Sequence, residues 1–192
     1  MNLFYERFPK TVDVDGKKYQ IYTDFRDFLR LFDILKKEDD EIKIASGFLS
    51  MYKDRIPRDY KKAIMAIADF VLDKDQKEEN DAESDEENRE EKKKLISYEK
   101  DAPYIIGDFL RFYGIDLISC EYLHWMKFQV LLEGLPEDSE TKKRIGYRAI
   151  DPGKIKDKDE RNRIIRIQKM ISIEDNEADA ERIGDLFGGL MA

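Results

Sequence analysis

The amino-acid sequence predicts a mainly α protein, a helical bundle carrying a small N-terminal β-hairpin. Three observations predict it. Apolar residues recur at helical spacing through most of the chain. One short segment near the start instead alternates apolar and polar residues around Asp15-Gly16. The hydrophobic and charged fractions are both 41%, the balance of helices that bury one stripe and solvate the opposite face. At 192 residues the chain can bury one sizeable core, or a core plus an appendage.

The alternating segment is Thr11 to Tyr22, and its turn needs the positive φ that Gly and Asp tolerate. Thr23 or Asp24 then caps a helix with Phe25, Phe28, Leu29, Phe32 and Leu35 on one face. A second helix is expected from Asp40 to Lys53, with Ile42, Ala45, Phe48, Leu49 and Tyr52 inward. Pro57 suits the first turn of a third, whose stripe is Tyr60, Ala63, Ile64, Ile67, Ala68 and Val71. Beyond residue 94, Asp101 can cap a helix that tolerates Pro103 early and ends at Gly114, with Ile105, Ile106, Phe109, Phe112 and Tyr113 facing a core. Further helices are expected from Ser119 to Glu133, from Ser139 to Ile150, from Asp157 to Ser172 and from Ala178 to Leu190.

Charge divides the chain further. Asp75 to Glu91 holds ten acidic and two basic residues and so accounts for the whole net charge of -8; the rest has 33 of each sign. This stretch has one apolar residue, Ala82, and cannot bury enough surface to order itself. The expected organisation is therefore residues 1–73 as hairpin plus helices, 74–94 as an acidic flexible linker, 95–151 as a helical core completing the same domain, and 152–192 as a basic then acidic helical extension. No N-terminal apolar run suggests a signal peptide. The longest apolar run, Ala63 to Leu72, is broken by Asp69 and too short to span a bilayer.

The only cysteine, histidine and tryptophan are Cys120, His124 and Trp125. One cysteine excludes an intramolecular disulfide and fits a reducing compartment. On a helix Cys120 and His124 would share a face with Glu121 beside them, but zinc needs three or four ligands and no second His or Cys exists. A Cys–His nucleophile pair fares no better, because a helix that aligned the two side chains would leave no nearby group to orient the imidazole and no glycine-rich anion site. The expectation is no catalytic residue, no metal and no cofactor, with His124 on a half-buried face beside Phe128, Leu131 and Leu135, hydrogen-bonded to a backbone or carboxylate partner. No phosphate loop, dinucleotide fingerprint or nucleophile elbow occurs.

Lys142 to Lys169 carries eleven basic and four acidic residues; Glu174 to Asp185 carries six acidic residues and one arginine. The isoleucines at 164, 165, 167, 171 and 173 crowd the basic helix and Tyr147 is its lone aromatic, which argues against nucleic acid. A basic helix followed by an acidic one can neutralise itself or pair with a second copy. Candidate partner-contacting residues are Trp125, Phe128, Arg161, Arg163, Arg166, Leu186 and Phe187.

Several segments together carry a family resemblance. They are the hairpin with Asp15-Gly16, Thr23-Asp-Phe-Arg26, Ile56-Pro-Arg-Asp59, Tyr98-Glu-Lys-Asp101, Phe112-Tyr-Gly-Ile-Asp-Leu117, Leu123-His-Trp125 with Phe128 and Leu131, and Gly146-Tyr-Arg148. From about Leu3 to Ile173 the chain resembles the bacteriophage gene product fifteen family, encoded in the tail modules of long-tailed phages and prophages of Gram-positive bacteria. It departs in having Met126 where a second tryptophan is expected. The resemblance implies a non-enzymatic tail assembly protein, a chaperone that binds the helical tape-measure protein and recruits major tail tube subunits. It would act in the bacterial host cytoplasm, possible homo-oligomers included, and be absent from the mature virion. The alternative is a minor structural or connector component retained in the tail.

Overall fold

In the computed structural model, residues 7–72 and 95–173 are described. They contain two β-strands and seven α-helices, so the fold is mainly α with one N-terminal hairpin. The expected mobility of Asp75 to Glu91 and the expected helix from Ala178 to Leu190 fall outside the described residues. The described chain forms two compact units. One comprises residues 7–72 and 122–128, the other 95–121 and 129–173.

The first unit opens with β1 (Thr11–Val14) and β2 (Lys17–Gln20), paired antiparallel with Val14 opposite Lys17. Asp15 and Gly16 take φ of 53° and 72°, the doubly positive turn whose twist matches a hairpin. The Asp13 carboxylate accepts the Gly16 N–H at 2.8 Å. Helix α1 (Phe25–Lys37) is capped by Asp24, which accepts the Arg26 N–H. It buries Phe25, Phe28, Leu31 and Leu35. Leu29 and Phe32, expected inward, are only half-buried, and Leu31 replaces them. The cause is a second packing direction: Gly47 has no side chain, and a Cβ there would lie 3.3 Å from Ile34 Cγ2 and 3.4 Å from Leu31 Cδ1. Leu31 and Ile34 thus approach α2 (Glu41–Leu49) across a bare backbone.

Helix α2, capped by Asp40, stops four residues short of the expected end. The next residues supply backbone to the hairpin instead. Tyr22 N–H donates to Met51 O at 2.8 Å and Lys53 N–H to Gln20 O at 3.0 Å. Ile44 and Phe48 are buried, whereas Ile42, expected inward, is 79% exposed. Helix α3 (Tyr60–Leu72) begins after Pro57, where the Asp59 carboxylate accepts the Lys62 N–H. Tyr60, also expected inward, is 60% exposed; Ala63, Ile64, Ile67, Ala68 and Phe70 form the buried stripe.

Residues 122–128 complete this unit. The expected helix start at Ser119 moves to Trp125, because Leu123 to Trp125 must pair with the entry to α1. Phe25 N–H donates to Leu123 O at 2.9 Å, and Trp125 N–H to Thr23 O at 2.8 Å. The Asp24 carboxylate also accepts the Leu123 N–H at 3.0 Å. The helix that follows, α5 (Trp125–Glu133), gives Trp125–Phe128 to this unit and its remaining residues to the other.

The second unit holds α4 (Ala102–Tyr113), the end of α5, α6 (Glu140–Ala149), a 3₁₀ turn (Pro152–Lys154) and α7 (Lys158–Met170). Gly114 ends α4 at φ 65°, as expected of a left-handed cap. Ser139 and Asp157 cap α6 and α7 through their side chains. Ile105, Phe109, Leu117, Leu132, Leu135 and Ile164 are its buried apolar residues. Asp108, buried on α4, accepts the Thr141 N–H at 2.8 Å and so holds the start of α6.

Candidate functional site

His124 sits at the start of α5, outside its helical turns, so it shares no helix face with Cys120. Its Nε2 lies 2.9 Å from the Pro9 carbonyl, and its Nδ1 lies 3.2 Å from the Met126 N–H. A carbonyl can only accept and an N–H can only donate, so the ring carries its proton on Nε2 and is neutral. Burial pushes its pKa down, the Pro9 carbonyl pulls it up and the Lys10 charge lowers it further; the net direction is down. Phe8 stacks on the ring at 5.0 Å between centroids. Both ring nitrogens are thus taken up by backbone, which leaves no lone pair for a metal or a substrate proton. The Cys120 sulfur lies 3.8 Å from the Leu117 carbonyl. Among the described residues, no group of three or more His, Cys, Asp or Glu side chains could hold a metal ion.

Trp125 and Phe128 are each 1% exposed. Trp125 packs against Phe28 at 5.2 Å and Phe32 at 5.5 Å, and Phe128 stacks on Phe25 at 4.8 Å. In this fold their surface is spent on the core. The three arginines of α7 differ. Arg161 is half-buried and donates to the Ile155 carbonyl, Arg163 is exposed beside Glu160, and Arg166 is exposed with its Nε 3.3 Å from the Asn162 carbonyl. Leu186 and Phe187 lie outside the described residues.

Sequence reading missed a buried ion pair. Arg148 Nη1 and Nη2 meet Asp101 Oδ2 and Oδ1 at 2.6 and 2.7 Å. Arg148 also donates to the carbonyls of Leu95 and Ile171 at 2.9 Å each. Asp101 stands at the cap position of α4 but makes no side-chain cap. Its oxygens are committed to Arg148 and to the Ser97 N–H. Burial alone would raise the Asp101 pKa; hydrogen bonds from Arg148 and Ser97, with the charges of Arg148 and Arg144, outweigh it and hold the carboxyl low. The Tyr98–Asp101 and Gly146–Arg148 motifs are the two halves of this clasp.

Four of the segments that carried the resemblance therefore meet in pairs, Thr23–Arg26 with Leu123–Trp125 in the first unit and Tyr98–Asp101 with Gly146–Arg148 in the second. A profile described as Bacteriophage Gp15 protein matches residues 4–173. The chain belongs to that family. No curated protein matches this chain, and no solved structure matches it either. As a member of the Bacteriophage Gp15 family it is a bacteriophage protein, and among its described residues no helix is long and apolar enough to cross a membrane.

Among the described residues, two clefts of the first unit stand out. One, of about 230 Å³, lies between α1 and α2 with Leu31, Ile34, Gly47 and Met51 in its lining. The other, of about 760 Å³, lies between the hairpin turn and residues 55–59. The second contains Ile56-Pro-Arg-Asp59, the motif for which the core has only partial use. Pro57 is buried and Asp59 caps α3, but Ile56 is 47% exposed and Arg58 is exposed.

Proposed function

We propose that the protein is a non-enzymatic tail assembly factor, a chaperone that binds the tape-measure chain and recruits tail tube subunits. The observation that carries this reading is the match to a bacteriophage family over residues 4–173, joined to the tail-module setting that the family resemblance implies. Geometry adds physical support. The one histidine is committed to backbone at both nitrogens. Large apolar side chains stand exposed on several helices, among them Ile42 on α2, Leu110 on α4, Val130 on α5 and Met170 on α7. A long apolar helical client aggregates unless its stripes are covered, and exposed apolar helix faces can cover them reversibly. Its place of action on this reading is the host cytoplasm during assembly.

Co-expression tests the reading. The tape-measure protein should be markedly more soluble with this protein than without it, and purified virions should lack the protein by mass spectrometry. Unchanged solubility would remove the chaperone role, and a stoichiometric signal in virions would replace it with a structural one.

A further inference from the structure

We propose that the cleft between the hairpin turn and residues 55–59 binds an extended acidic peptide segment of a partner protein. The cleft has the volume of a ligand site, about 760 Å³. One exposed ion pair spans its edge: Lys62 on α3 reaches the Asp15 carboxylate at the hairpin tip and also approaches Asp59 at 3.7 Å. Asp15 stands at positive φ, a backbone state that costs a non-glycine residue and that sets this tip. Hydrogen bonding to Asp15, then its charge, raises the Lys62 pKa.

This pairing also sorts the charges. The two carboxylates lining the cleft, Asp15 and Asp59, both face Lys62. The three cations lining it, Lys17, Arg55 and Arg58, have no carboxylate partner among the described residues. Arg55 lies over the Tyr19 ring, 5.3 Å from its centroid. Stacking holds a guanidinium in place while leaving its N–H fork for a carboxylate. Ile56 offers exposed apolar surface beside these cations. Oriented cations with an apolar neighbour suit a ligand bearing several carboxylates and an apolar side chain. Phosphodiester backbones share the negative charge but not the apolar side chain, so a polypeptide is the better match. The proposal goes beyond the chaperone reading and is independent of it, since that reading rests on apolar helix contacts.

Fluorescence anisotropy on the full chain tests it, with a labelled oligoglutamate peptide carrying one central leucine as the probe. Saturable binding is expected at low salt and should weaken as salt is raised, because the cations are exposed. Lys17→Glu with Arg58→Glu should weaken it by about tenfold or more. Arg166→Glu, a charge reversal of the same kind on α7, should leave it unchanged. Ile56→Ser should abolish the preference for the leucine-bearing peptide over plain oligoglutamate, which shows the apolar half separately. Absence of binding, equal loss in Arg166→Glu, or equally tight binding of oligothymidylate of the same charge would each overturn the assignment. Circular dichroism of each variant guards against misfolding, and both reversed residues are exposed.

Discussion

The two compact units are stabilised by different chemistry. Around α1 the first unit is packed with rings: Phe25, Phe28, Phe70, Trp125 and Phe128 are all buried and meet through stacked contacts of 4.8 to 5.8 Å. In the second unit Asp101, Asp108, Ser139, Thr141 and Arg148 are buried among a smaller apolar set. Apolar packing is non-directional and tolerates small adjustments, at a cost that scales with the volume removed. A buried ion pair is directional and depends on both partners being present. Damage to the first unit should therefore scale with the volume removed, whereas the second should respond to loss of either charge partner.

The largest effect is expected in the aromatic core. Phe28→Ala removes a fully buried ring that touches both Trp125 and Phe70, and should cost about 3–5 kcal/mol. Urea denaturation followed by tryptophan fluorescence reads the surroundings of this ring stack directly, because Trp125 is the only tryptophan. A loss under about 1 kcal/mol would mean that the ring stack is not the core of its unit.

Next comes the clasp. Asp101→Asn keeps the size of the side chain but leaves Arg148 charged and buried without its partner, at a cost of about 3 kcal/mol. Far-ultraviolet circular dichroism should show the loss while tryptophan fluorescence changes less, if the two units respond separately. Replacing both partners by apolar residues of similar volume should be milder than either single change. The native pair also predicts acid behaviour. The folded-state pKa of Asp101 is lowered, so its contribution is complete above the unfolded value of about 3.9 and is lost as pH falls through the folded value. A double variant worse than both single variants would refute the account of the clasp.

How legible these units were follows the same division. The hairpin turn announced itself because Asp15-Gly16 has few other uses. The caps Asp24, Asp40, Ser139 and Gly114 marked helix ends by local chemistry alone. Helix faces were read less well, since α1 packs on two sides and Ile42, near the start of α2, is left exposed. The start of α5 and the Arg148–Asp101 pair were illegible for one reason. Each is decided by a partner far along the chain, 99 residues away for Asp24 with Leu123 and 47 for the ion pair. A local pattern carries no information on such pairs. The wide cleft was hidden likewise, because which residues of Ile56-Pro-Arg-Asp59 stay exposed is decided by packing. Membership of the family was legible because it depends on the motifs rather than on where they meet.

The smallest effect is a pH dependence confined to the first unit. His124 is the only histidine, and its folded-state pKa is lowered, first by burial. A depressed histidine holds its proton less well folded than unfolded. Above the unfolded value of about 6.5 both states are neutral and stability is complete. As pH falls below that value the unfolded chain gains a proton that the folded one refuses, and stability declines until the folded value is passed. The urea midpoint by Trp125 fluorescence should accordingly be lower at about pH 5.5 than at about pH 7.5. His124→Gln should flatten the slope over that window while lowering stability at every pH, because glutamine does not reproduce the hydrogen bonds to Pro9 and Met126. No other side chain has an ordinary pKa there, so a slope that persists in the variant, or one of opposite sign in the parent protein, would show that His124 is not held neutral in the core.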